Sequence, residues 1–133
     1  MNTKDLMIGD LVSIGSKSLE FYGIVKSIDV LEVYIESLLT GDIERHFKPS
    51  LKPILITTKI LDKNGFVKVN SQRYDFGDPY GDYYINVNPK KKHIYINSWM
   101  GNCNLYLSDL TVHTFQHALR LCGLGNFADN FQV

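Results

Sequence analysis

The sequence predicts an α+β protein: an N-terminal small SH3-like β-barrel or bent sheet, a short helix, then an antiparallel sheet with a packed C-terminal helix. Three observations predict it. Apolar and polar residues alternate in VLEVYIES (30–37), and again in YYINVN (83–88) and HIYIN (93–97), the period-two mark of half-buried strands. Pro49 and Pro53 bracket a stiff connector that does not fit a central ladder. Val112, Phe115, Ala118, Leu119 and Cys122 fall on one helical stripe near the end of the chain. The expected division is residues 1–55, the barrel-like unit, and 56–133, the α+β unit, the two sharing one core.

The elements follow in order. Residues 10–15 carry Leu11, Val12 and Ile14, an apolar and partly β-branched strand. EFYGIVKSI (20–28) puts Phe21, Gly23 and Val25 on one face, and 30–37 puts Leu31, Val33 and Ile35 on one face. Gly9-Asp10, Gly15-Ser16 and Thr40-Gly41-Asp42 supply the turns between them. In ITTKILDKNGF (56–66) either Thr57 or Thr58 serves as N-cap, Ile60 and Leu61 form the buried face, and Gly65 ends the helix. FVKVN and QRYDF flank Ser71 as a hairpin. The strands 83–88 and 93–97 form a second hairpin across Pro89 and three lysines, with Tyr84, Asn86 and Asn88 opposite Tyr83, Ile85 and Val87. Ile94 and Ile96 oppose His93, Tyr95 and Asn97, and CNLYL (103–107) is a last short strand. A helix from about Ser108 to Cys122 stops at Gly123.

Composition narrows the function. The chain has 133 residues, 44% hydrophobic and 21% charged, ordinary values for a globular protein able to bury a core without a disulfide or metal. Fourteen basic and fourteen acidic residues cancel, so the general attraction of a basic domain for nucleic acid is missing. The N-terminus lacks a signal-peptide pattern, and no run reaches the length of a membrane span. Cys103 and Cys122 are far apart in sequence and read as free thiols in a reducing compartment. The expected location is cytoplasmic, with no cofactor and no membrane.

No P-loop, dinucleotide fingerprint, nucleophile elbow or CxxC pair occurs. Three constellations remain. Tyr74, Tyr80, Tyr83 and Tyr84 lie in YDFGDPYGDYY, an aromatic and acidic stretch that also contains ordinary turn residues; tyrosine favours interfaces. Lys90, Lys91 and Lys92 with Tyr95 and Trp99 would give phosphate contacts and base stacking, or else lysines guarding a hairpin tip. His113 and His117, four apart on a helix, could share a metal. The glutamate of HExxH is absent, and no spacing nominates a further ligand among His46, His93, Cys103 or an aspartate. The other account of the two histidines is a polar helix face.

The passages KDLMIGDLVSIG, LKPILITTKILDKNGF and VHTFQHALRLCG together resemble a family of small uncharacterised proteins from gut bacteria and their phages. Members open with a phrase like LRIGNYV, continue with one like KPIPLTEEILLKCGF, and end with a helix like YVHELQNL. Ile8, Gly9, Asp10 and Val12 resemble the first phrase. Lys52, Pro53, Ile54, Thr57, Ile60, Leu61, Gly65 and Phe66 match the second, and Val112, His113 and Gln116 the third, with Phe115 in place of its leucine. Thr58, Lys59 and Ala118 depart from the pattern, and 102–107 does not align. The resemblance implies a shared fold and carries over no catalytic residue. The pattern holds a histidine at 113 but often an amide at 117, which argues against a shared two-histidine metal site.

The expected function is a non-enzymatic binding or adaptor module, of phage or mobile-element origin, that meets a protein partner through the tyrosines of 74–84 and the outer face of the 83–97 hairpin. The alternatives are a nucleic-acid-binding accessory protein and, more weakly, a metal-dependent enzyme.

Overall fold

The computed structural model describes residues 3–15 and 22–133. The chain divides into two compact units, Met1–Ile54 and Leu55–Val133.

The first unit is an antiparallel meander of β1 (Leu11–Ser13), β2 (Tyr22–Ile28), β3 (Glu32–Ser37) and β4 (Ile43–Phe47), in that spatial order. Leu6, Val12, Val25, Val33, Ile35 and Leu51 form its core, so the period-two pattern of 30–37 does face inward at Val33 and Ile35. Leu31 departs from that pattern. It lies outside the strand, in the turn closed by the Asp29 N–H donating to the Glu32 carbonyl, and is exposed. Ser16, Glu20 and Phe21, expected in a turn and a strand, lie outside the described residues. A register shift between Val25 and Ser27 bends β2.

Of the barrel-or-bent-sheet expectation, the open sheet is what forms: among the described residues no strand closes it into a barrel. The physical reason is the length and chemistry of the chain that returns to β1. After β4 comes a 3₁₀ turn, Lys48–Ser50, with Pro49 inside it, and the return then meets β1 at one bridge. There Ser13 and Lys52 exchange two backbone hydrogen bonds, of 2.9 and 2.8 Å, before Pro53 removes the next possible donor.

The second unit is a five-stranded antiparallel sheet with three helices. Helix α1 (Thr58–Lys63) begins where Thr57 Oγ1 accepts the Ile60 N–H at 3.2 Å. It ends at Gly65, whose φ of 82° supplies the left-handed stop while the Phe66 N–H returns to the Leu61 carbonyl. The sheet runs β5 (Val67–Lys68), β6 (Tyr74–Gly77), β7 (Tyr83–Asn88), β8 (His93–Ser98) and β9 (Gly101–Tyr106), in that order. Ile85, Val87, Ile94 and Ile96 are fully buried on its inner face.

Helix α2 (Val112–Leu121) buries its predicted stripe: Val112, Phe115, Ala118 and Leu119, with Cys122 as C-cap. It starts later than the pattern suggests because Leu110 and Thr111 are extended, pairing with the chain at Leu55 and Ile56. A third helix, α3 (Gly125–Asp129), follows Gly123. It brings Phe127 and, just beyond, Phe131 into an aromatic cluster. Phe127 meets Phe76 edge-on at 4.8 Å, and Phe131 meets Phe115 edge-on at 5.4 Å. Among the described residues no helix is long and apolar enough to cross a membrane.

Candidate functional site

Strand alternation buries one face of the second unit's sheet and turns the other outward. On β7 the outward residues are Tyr84, Asn86 and Asn88; on β8 they are His93, Tyr95 and Asn97; on β9 they are Asn102, Asn104 and Tyr106. Register sets them in rows across the three strands. Tyr84 pairs with Asn97 and Asn97 with Asn102; Asn86 pairs with Tyr95 and Tyr95 with Asn104; Asn88 pairs with His93 and His93 with Tyr106.

The rows place Tyr84, Tyr95 and Tyr106 on one diagonal, each step between diagonal neighbours spanning about 7–8 Å. Polar groups occupy the opposite corners of each step. Asn86 and Asn97 bracket the first pair of rings, and Asn104 and His93 bracket the second.

Local bonds hold this surface in shape. Arg73 grips Asp75 through two hydrogen bonds of 3.0 Å, and the Tyr84 hydroxyl donates to the same carboxylate at 2.6 Å. Burial first, and then this bond to Asp75, push the Tyr84 phenol above its ordinary pKa, so the ring stays neutral and anchored. His93 Nε2 is hydrogen-bonded to Asn104 Oδ1, and its ring stacks on Tyr106 with centroids 4.3 Å apart. Tyr106 is 73% exposed, so one side of that stack is open to a ligand.

The predicted tyrosine set does not form one patch. Tyr74 is buried and Tyr83 stacks on Phe76 at 6.0 Å, both on the inner face. Tyr80 is 98% exposed at the β6–β7 turn, and only Tyr84 belongs to the outer face. The basic–aromatic set also separates. Lys90, Lys91 and Lys92 sit at one end of β8 and Trp99 at the other, roughly 20 Å away at about 3.4 Å per residue. Lys92 is turned aside: its φ is 52°, and its ammonium donates to the Ser108 carbonyl at 2.7 Å. Tyr95 lies between the two ends.

The two histidines are neighbours, their rings edge-on with centroids 5.8 Å apart. The stripe they share is not the helix's wet side. His113 and Gln116 are buried, and the Gln116 side-chain amide donates to the Ala128 carbonyl at 3.0 Å, tying α2 to α3. Among the described residues no group of three His, Cys, Asp or Glu side chains is placed to hold a metal. His46 lies in the first unit beside Glu44.

Cys103 and Cys122, unpaired in the sequence, meet in the fold. The Ser98 hydroxyl donates to the Cys122 carbonyl at 2.5 Å, which seats the end of α2 over the sheet and brings Cys122 near Cys103. Burial, and then the nearby Cys103 thiol, raise the Cys122 thiol to about 11. Its raised value contributes stability that is complete below the ordinary thiol pKa and is lost as pH rises through about 11. In native protein at neutral pH, iodoacetamide is expected to leave Cys122 unmodified until the second unit unfolds, as read by peptide mass spectrometry. Labelling of Cys122 at the rate of an unfolded peptide would contradict this.

The residues sequence reasoning missed are Asn102, Asn104 and Tyr106. Their signal was the alternation of GNCNLY, which continues the pattern of the preceding strand. Comparison with known proteins finds no matching family model, no matching curated protein and no matching solved structure.

Proposed function

We propose that the chain is a non-enzymatic binding module whose recognition surface is the outer face of β7, β8 and β9. The observation that carries this is the diagonal of three tyrosines bracketed by amides, on a sheet face whose anchoring side chains are already fixed by Asp75 and by the His93–Asn104 bond. Rigid aromatic side chains beside adaptable amides are the composition of recognition surfaces. For the first unit, the order of a four-stranded meander, a 3₁₀ turn and a return to β1 at Lys52 supports an SH3-like relationship. The resemblance described above supports an origin on a phage or mobile element.

The test is chemical-shift mapping on the isotope-labelled chain, titrated separately with neutral oligosaccharides, single-stranded DNA and extended peptides. One class is expected to shift the amides of Tyr84, Tyr95, Asn97, Asn104 and Tyr106 together. If none of the three perturbs that face, the proposal is wrong.

A nucleic-acid-binding accessory is the second reading, favoured by one observation: Lys90 and Lys91 stand exposed at the end of the face that carries His93 and Tyr106. In that case charge reversal at Lys90 and Lys91 would abolish retention on single-stranded DNA at low salt.

A further inference from the structure

We infer that the ligand of this face is a linear polysaccharide of neutral hexoses, lying along the Tyr84–Tyr95–Tyr106 diagonal. The inference rests on the binding-module proposal above and adds the chemistry of the ligand.

Charge is the first consideration. Along the three strands the outward residues are tyrosine, asparagine and one histidine, with no lysine, arginine, aspartate or glutamate. The nearest formal charges on the same face, Arg73 and Asp75, cancel in their own ion pair. A nucleic-acid strand carries one phosphate per nucleotide and needs cations spaced along its track. Here Lys90 and Lys91 stand only beyond one end, and Lys92 is occupied by Ser108 and Asp109. The face is therefore complementary to an uncharged chain.

Apolar content is the second. Protein–protein patches centre on a desolvated apolar core. The outward positions of β7–β9 contain no aliphatic side chain, since all of theirs point inward. Over these three strands the apolar surface is flat aromatic ring, interrupted by amides; the exposed Val67 and Val69 lie beyond the Arg73–Asp75 pair at the far edge of the sheet.

A pyranose matches that alternation. One side of the sugar ring presents C–H groups that pack on a tyrosine face. The hydroxyls around its rim each donate and accept, and an asparagine amide offers both roles in one group. The Asn97 and Asn102 amides have no protein partner among the described residues, and the Tyr95 and Tyr106 hydroxyls likewise make no hydrogen bond there. Two diagonal steps of about 7–8 Å give a track longer than one sugar, and it runs out to the edge strand β9. A track of that form takes an internal stretch of a linear chain rather than a single enclosed monosaccharide.

The experiment is calorimetric titration of the full chain with linear neutral gluco- and manno-oligosaccharides, paired with chemical-shift mapping. Binding is expected with shifts along the diagonal. Tyr95→Ala is expected to weaken it about tenfold, the loss of one central stacking contact, and Tyr95→Phe to retain most of it. Tyr106→Ala, at an exposed position, tests the same track without a risk to folding. Unchanged affinity in both alanine variants, or shifts confined to another surface, would overturn the inference. If no oligosaccharide binds but single-stranded DNA or a peptide shifts these same residues, the glycan assignment falls and the binding-module proposal stands. If no class shifts them, both fall.

Discussion

Replacing Phe115 by alanine is expected to cost the second unit about 3–5 kcal/mol of unfolding free energy, the range for truncating a fully buried phenylalanine. The ring is wholly buried. It packs tilted against Phe66 at 6.0 Å and edge-on against Phe131 at 5.4 Å, so its loss leaves a cavity lined by groups on two segments far apart in the chain. Those segments cannot collapse together, because α2 is also tied to α3 through Gln116 and to the sheet through Ser98. Amide exchange at Ile85, Val87, Ile94 and Ile96 reads the effect directly. Their protection is expected to fall by the same free energy, and a loss below about 1 kcal/mol would show that the cluster closes over the gap.

Gly77→Ala is the second large effect, about 2–4 kcal/mol from left-handed backbone strain and overpacking combined. Gly77 ends β6 with φ at 85°, and a Cβ there would overlap the Tyr83 carbonyl oxygen across the β6–β7 pair. Because Gly77 lies opposite Tyr84 in the register, relief of that overlap must move the strand that carries the first ring of the diagonal. A thermal melt measures the stability change. The Tyr84 hydroxyl should also lose its bond to Asp75, visible as a fall of the phenol toward its ordinary titration range. A variant as stable as the parent would mean that the β6–β7 turn tolerates a different path.

Where the pattern is local and one-sided, the fold was legible in the sequence. Tyr83, Ile85 and Val87 face the core as their alternation requires, and so do Ile94 and Ile96, because one buried face fixes a strand's register. A threonine cap, at 57 or 58, and the Gly65 stop were equally legible, since each rests on chemistry within one turn; the structure selects Thr57. β4 was not. Its residues Ile43 to Phe47 are almost all exposed, so no alternation marks it, and only pairing with β3 makes it a strand. α3 was missed because five residues are too few for a period and its glycine and asparagines suggest a loop. Leu124, Phe127, Ala128 and Phe131 do carry the i, i+3, i+4, i+7 spacing.

The candidate site was legible only in halves. The outward faces of β7 and β8 follow from alternation, but the tyrosine diagonal depends on how three strands align, and that information belongs to no single segment. The same reason undid the grouping by nearness in sequence. Tyr83 and Tyr84 are adjacent and therefore on opposite faces, while Tyr84 and Tyr106 share a face across 22 positions of chain. His113 and Gln116 misled differently. A polar residue on a helix reads as solvated until a further element, here α3, is known to cover it.

The tail beyond α3 has a consequence for the order of assembly. The Asn64 side chain acts as a surrogate strand partner: its amide donates to the Gln132 carbonyl at 2.8 Å and its oxygen accepts the Gln132 N–H at 2.8 Å. That clasp joins groups 68 positions apart, and the Leu55–Thr111 bridge joins others almost as distant. Each long loop must surrender chain entropy before its contacts exist. Both sheets are built from successive neighbouring strands, so the pairing within each propagates by short steps. The second unit thus adds to its local hairpins a late latch, closed only when Gln132 reaches Asn64.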